Sequence, residues 1–224
     1  MPARTPSARR VSPTIDVVII TPRGRRLMVL LVRAPAKSRE RWQLPWRPLR
    51  PQETIDDEAA RLARKTLGVP PSLVEQAAAF GDRKRHPSGA ELSVAFLALI
   101  DEERGAAIES EATWHAVDEL PPLPPRQRSM LEGVLASLRA RLDQAPIAFH
   151  LLPSIFTLTQ LQEIYELLLG RRLHKASFRR SLHAAWLVEP TDEWRSEGRG
   201  RPAQLFRYAP KKRRGGRRGV RFGQ

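Results

Sequence analysis

The 224-residue chain has no cysteine, which excludes disulfides, thiolate nucleophiles and cysteine-bound metals and fits a reducing compartment. No stretch approaches the roughly 18 consecutive apolar residues of a membrane span, and no apolar signal-peptide core follows the start. A cytoplasmic protein with no membrane partner is therefore expected. Acidic residues are scarce: 24 Asp and Glu face 39 Lys and Arg, a net charge of +15 that favours a polyanionic partner. His86, His115, His150 and His174 show no metal-ligand spacing, so neither a metal nor a cofactor is expected. At 41% hydrophobic residues there is enough apolar material for real cores, and the length suits one or two domains.

The charge is unevenly spread. Residues 1–147 hold 23 basic against 18 acidic residues, whereas residues 148–224 hold 16 against 6, so the last third of the chain carries two thirds of the excess. Part of it is a tail in which Lys211, Lys212, Arg213, Arg214, Arg217, Arg218 and Arg221 occur among glycines with no acid. Residues 211–224 are expected to be a disordered basic tail attracted to any polyanion. Residues 1–13, Arg-rich, acid-free and broken by Pro2, Pro6 and Pro13, read as a disordered arm.

Between these ends, strands and helices interleave in an α+β order over residues 14–146. Asp16 to Ile20 and Leu27 to Val32 are β-rich apolar runs joined by a turn containing Pro22 and Gly24, which predicts a hairpin. Thr54 and Asp57 open a helix over about Ile55 to Leu67, closed by Gly68. Phe80 to Gly81, a basic tip, then Glu91 to Ile100 predict a strand, loop and strand, followed by a short strand over Thr113 to Val117. The stripe Met130, Leu131, Val134, Leu135 and Leu138 predicts a helix over Arg126 to Leu142. A short hinge is expected at Asp143 to Pro146.

The pattern then changes over residues 147–210. Thr157 and Gln160 form a capping box ahead of Leu158, Leu161, Ile164, Tyr165 and Leu168, and Gly170 stops that helix. A second helix over Lys175 to Trp186 places Phe178, Leu182, Ala185 and Trp186 inward and Lys175, Arg179 and His183 outward, with Arg180 one row over. Short strands at Leu187 to Glu189 and Gln204 to Tyr208 flank a polar loop with Gly198, Arg199, Gly200 and Arg201. Helix, helix, strand, loop and strand describe a winged helix, whose second helix enters the major groove by its N-terminal residues.

Inside the first half, W-Q-L-P-W-R (Trp42 to Arg47), Glu53 and R-L-A-R-K-T-L-G-V (Arg61 to Val69) resemble the Nudix signature, with Glu53, Arg61, Gly68 and Val69 in register. Where that motif puts three glutamates stand Leu62, Lys65 and Thr66. Their i, i+3, i+4 spacing shares one helix face, where carboxylates would converge on Mg²⁺. An alkyl group, an ammonium and a hydroxyl cannot hold it, and a lysine there repels a divalent cation. Metal-assisted diphosphate hydrolysis has no visible site.

The stretch from Leu151 to Leu182, the G-R-P-A of Gly200 to Ala203, the F-G-D of Phe80 to Asp82, Ser93 to Leu99 and Val117 to Leu123 are similar to the Nudix-related transcriptional regulators of the NrtR type, over about residues 14–209. The resemblance implies a bacterial homodimeric regulator: a Nudix-like α/β/α sandwich for sensing and dimerisation (14–146), without hydrolase activity, and a C-terminal winged helix-turn-helix (147–210) that binds a double-stranded DNA operator at the nucleoid. In that family the effector is commonly ADP-ribose or a related metabolite, while other members answer to sugars. By position, Lys175, Ser177, Arg179, Arg180 and His183 match the reading helix, and Arg199 and Arg201 the wing. Trp46 and Arg47 replace the family's paired glycines and narrow its pocket; Arg126 and Gln127 replace a usual Asp-His.

Arg47, Glu53, Arg61, Lys65 and Arg83 are the candidate effector residues, since guanidinium and ammonium groups suit phosphate. The alternative is that Arg47 and Lys65 pair with Glu53 and the acids at 56–58, closing the cleft. Two other classes remain: a Nudix hydrolase with residual activity on nucleoside diphosphate derivatives, disfavoured by the missing carboxylates, and an RNA-binding protein. The latter is disfavoured because RNA readers commonly display stacking aromatics on a sheet, whereas Phe178 and Trp186 are expected inside.

Overall fold

The computed structural model describes residues 13–50, 52–106, 111–196 and 202–210. The basic tail, nearly all of the N-terminal arm, and the wing residues Arg199 and Arg201 lie outside the described residues.

The expected hairpin forms from β1 (Thr14–Arg23) and β2 (Arg26–Arg33), whose polar ends extend the ladder beyond the apolar runs. Short strands β3 (Trp42–Gln43) and β4 (Trp46–Pro48) follow. Helix α1 (Ile55–Leu67) starts at Thr54, whose hydroxyl accepts from Asp57 N, and ends at Gly68 with φ 76°. Then come β5 (Leu73–Phe80), β6 (Ser93–Leu99), β7 (Ala112–Ala116) and α2 (Pro125–Arg141). The sheet runs β3-β2-β1-β6-β5, with β4 also on β1 and β7 on β2; β1 and β6 are parallel.

Successive side chains of a strand point to opposite faces. On one face Ile15, Val17, Ile19 and Phe96 meet Ala59, Leu62, Ala63 and Leu67 of α1. On the other, Val18, Ile20 and Leu97 meet Met130, Leu131 and Val134 of α2. The result is an α/β/α sandwich. Leu62, at a motif-glutamate position, is 6% exposed, and burying a leucine is worth about 1.5–3 kcal/mol. Strand β5 begins seven residues before its expected start. A register shift between Gln76 and Ala78 breaks its alternation and hides it in sequence.

The second half contains a 3-10 turn (Ile147–Leu151), β8 (Ile155–Thr157), α3 (Leu158–Leu169), α4 (Lys175–Ala185), β9 (Val188–Arg195) and β10 (Ala203–Tyr208). The three strands form an antiparallel sheet, β8-β10-β9, completing a winged helix. The Thr157–Gln160 capping box is present, and Gly170 closes α3 with φ 67°. Phe178 and Leu182 of α4 pack beneath α3, with Tyr165 edge-on to Phe178.

Two expectations are corrected. Trp186 does not face inward: it caps α4 in the left-handed region at φ 53° and is 55% exposed. The helix stops at Ala185, one residue before the indole would continue the apolar stripe. Nor does the segment at Asp143 to Pro146 separate two cores. Leu138, Leu142, Ile147, Phe149, Phe156 and Leu161 belong to one continuous buried cluster. Arg139 Nε also donates to Leu168 O at 3.1 Å, and Arg25 at the β1–β2 turn reaches Glu163 of α3 at 3.5 Å.

Candidate functional site

Helix α4 carries the candidate nucleic-acid interface. Lys175, Ser177, Arg179, Arg180 and His183 are all exposed, whereas Phe178 and Leu182 of the same helix are buried. No acid lies on the helix, and Arg179 and Arg180 make no ion pair among the described residues. Their guanidiniums are available for phosphate or base edges. Ser177 Oγ lies 3.3 Å from His174 Nδ1. The turn into α4 is pinned by Glu166, which the sequence reading missed: its carboxylate accepts from Leu173 N at 2.9 Å, Gln162 Nε2 at 2.9 Å and Arg172 Nη1 at 3.3 Å. Burial opposes ionisation of Glu166, but these donors outweigh it and hold its carboxyl below the usual value. Gln162 also donates to Leu173 O at 3.0 Å, so both backbone groups of the turn are fixed from α3.

The second site is the cleft beside α1, about 480 Å³, lined by Gln43, Trp46, Arg47, Leu62, Lys65 and Thr66, with Glu111 on its rim. Of the five candidate effector residues, the structure brings Arg47 and Lys65 to this cleft. Glu53 and Arg61 form a network beside it: Arg61 Nη2 lies 2.7 Å from Glu53 Oε1 and also pairs with Glu58, whose other oxygen is 3.2 Å from Arg47 Nη1. Glu58 is fully buried, and this double pairing is what makes its charge tolerable there. Arg47 is thus paired as the closing alternative supposed, but Lys65 is not: it is exposed and has no ion-pair partner among the described residues. Arg83 is exposed and is not among the lining residues.

The fold of this half implies a divalent cation on α1, and the donor set does not fit one. Leu62 is core, the Thr66 hydroxyl donates to Leu62 O at 2.9 Å, and Lys65 is a cation. Glu53 Oε2 is buried without a hydrogen-bond partner, but a single free carboxylate oxygen is far from the near-octahedral oxygen shell Mg²⁺ demands. Among the described residues no cluster of three or more His, Asp or Glu has metal-holding geometry.

Behind the cleft lies a buried polar network that sequence reasoning did not single out. Asp16, fully buried on β1, accepts from Gln127 Nε2 at 2.7 Å and from Thr14 Oγ1 at 3.0 Å, and its Oδ1 is 3.0 Å from His86 Nε2. Gln127 Oε1 in turn accepts from Leu44 N at 3.0 Å, tying α2 to the W-x-L-P segment. Next to it Arg126, 3% exposed, meets Asp82 Oδ1 at 2.9 Å and donates to Ala90 O and Asp82 O, anchoring the basic loop. Trp46 packs edge-on to His86 with ring centres 5.1 Å apart and donates to Gln43 at 3.1 Å. A lone acid opening the run D-V-V-I-I was the available signal. A carboxylate heading a buried strand needs partners.

Comparison with known proteins gives a consistent answer. The family model of the NUDIX domain matches residues 11–134, and that of the NrtR DNA-binding winged helix domain matches residues 148–208. The chain is 30% identical over 204 residues to the ADPR responsive transcriptional repressor NtrR of Acinetobacter baylyi, covering 88% of this chain and 81% of that one. Shewanella oneidensis NrtR complexed with a 27mer DNA superposes with a TM-score of 0.80 at 28% identity, over 88% of this chain and 94% of that one. The NUDIX domain of the same protein complexed with ADP ribose is 22% identical, with a TM-score of 0.50 over 58% of this chain and 90% of that one, and shows the fold alone.

Proposed function

We propose, from the premise that this chain belongs to the family of Nudix-related transcriptional regulators of the NrtR type, that it is a DNA-binding regulator whose Nudix-like half senses a phosphate-containing metabolite of the ADP-ribose class and does not hydrolyse it. The single observation that carries the reading is the acid-free, exposed face of α4 with Arg179 and Arg180, which make no ion pair among the described residues, at its first turns, in a chain whose motif-glutamate positions hold Leu62, Lys65 and Thr66. Residues 14–146 act as sensor and pairing unit and residues 147–210 as reader, in the cytoplasm at the nucleoid. Lys175, Ser177, Arg179, Arg180 and His183 contact DNA, with Arg199 and Arg201 on the wing. Two copies pair so that their α4 helices meet half-sites one or more helical turns apart, about 34 Å or a multiple of it. The Acinetobacter relative's description as an ADPR responsive repressor supports both the effector class and the sign of regulation.

The test compares operator and random DNA in titrations at several salt concentrations. An arginine bidentate to guanine is worth about 1–3 kcal/mol of discrimination, so Arg180→Ala is expected to weaken operator binding about 5- to 150-fold and random DNA far less. Deleting residues 211–224 is expected to weaken both alike and flatten the salt dependence, because a run of Lys and Arg acts on any DNA by counterion release. If Arg180→Ala leaves operator preference intact while tail deletion abolishes it, α4 is not the reader.

A further inference from the structure

Most of the charges around the cleft are paired, and two lie outside the paired network. Arg47 and Arg61 are neutralised by Glu58 and Glu53 in the paired network, leaving two guanidiniums against two carboxylates. Lys65 and Glu111 both line the cleft and make no ion pair among the described residues, and of the two Lys65 is the cation, exposed on α1. Lys65 sits where the motif places a glutamate. An ammonium there contributes a positive charge on the face of α1 where carboxylates would otherwise have recruited one.

We infer that the Lys65 ammonium takes the part of the divalent cation in this cleft, so that the diphosphate of the effector is bound without metal. The half-buried indole of Trp46, held in orientation by Gln43 and His86, supplies an adjacent apolar wall for a ring of the ligand. Arg47, already engaged by Glu58 through Nη1, keeps other N–H donors for a second phosphate oxygen. The inference rests on the sensor reading above and specifies its chemistry: the ligand is a phosphorylated anion, and its affinity follows Lys65 and ionic strength rather than Mg²⁺. The residues that exclude a metal shell thereby also leave the bound diphosphate without an activated water.

The experiment is calorimetric titration of the full chain with ADP-ribose as probe, in EDTA and in millimolar Mg²⁺. Affinity is expected to be the same within about twofold in the two buffers. Replacing a charge-assisted contact of about 1.5–3 kcal/mol corresponds to a loss of about 10- to 150-fold for Lys65→Ala in both buffers, with Lys65→Arg retaining most of the affinity. Lys65 is exposed on α1, so these variants fold, and unfolding curves matching the parent verify it. Binding that requires Mg²⁺, or Lys65→Ala binding as tightly as the parent, overturns this inference while leaving the sensor reading standing. If the parent neither binds ADP-ribose nor changes its operator affinity in its presence, the sensor reading fails for this ligand class, and the inference falls with it.

Discussion

Replacing Asp16 by alanine tests the buried network behind the cleft. In the folded protein Asp16 takes donors from Gln127 at 2.7 Å and Thr14 at 3.0 Å and faces His86 at 3.0 Å, and Asp16, His86 and Gln127 are at most 2% exposed. With the carboxylate gone, Thr14 still has Ser93 Oγ at 2.7 Å. Gln127 Nε2 would keep its long contact to Leu44 O at 3.4 Å, but the N–H it directs at Asp16 would lose its partner, as would His86 Nε2, and each orphaned buried group costs about 1–3 kcal/mol. The sum is about 2–6 kcal/mol, a large part of the roughly 5–15 kcal/mol that holds a typical domain folded. Asp16→Asn keeps an acceptor oxygen and is expected to cost about half as much. Urea unfolding followed by circular dichroism reads both values. Because Gln127 also holds Leu44 N, surviving folded Asp16→Ala is expected to bind ADP-ribose more weakly while its DNA affinity is nearly unchanged. A loss below about 1 kcal/mol for alanine, or equal losses for alanine and asparagine, would refute the accounting.

Two further predictions concern the reader and the pH dependence. Glu166→Ala removes the acceptor that fixes Leu173 N ahead of α4, so it is expected to cost about 1–2 kcal/mol of stability and to weaken operator binding while ADP-ribose titrations are unchanged; equal operator affinity would show that the turn is held without it. Burial lowers the imidazoles of His115 and His150 from the usual 6.5, although Ser72 and Glu75 partly offset this at His150. As pH falls through 6.5 the unfolded chain takes up protons that the folded chain resists, so stability falls, levelling off below the depressed folded values. Unfolding from pH 8 to 5 should show a shallower decline in the double variant His115→Gln/His150→Gln, and an unchanged slope would count against burial as the cause.

Local signals fixed much of this protein. Thr54, Gly68, the Thr157–Gln160 box and Gly170 bracket α1 and α3 in sequence because caps are short-range chemistry, satisfied within a few residues. The outward face of α4 and the non-ligating trio Leu62, Lys65 and Thr66 were equally legible, since helical periodicity alone assigns a side to each residue. What tertiary structure decided depends on partners far apart in the chain. Asp16 and Gln127 lie 111 residues apart, and neither announces the other. Arg47 rather than Lys65 joins Arg61 on Glu58, because the approach of β4 to α1 brings the Arg47 guanidinium to that carboxylate. The same holds for Trp186, whose side was set by where α4 stopped, and for the segment at Asp143 to Pro146. There a polar, proline-bearing sequence passes through without breaking the core, because Leu142 and Ile147 on either side of it are buried in one cluster.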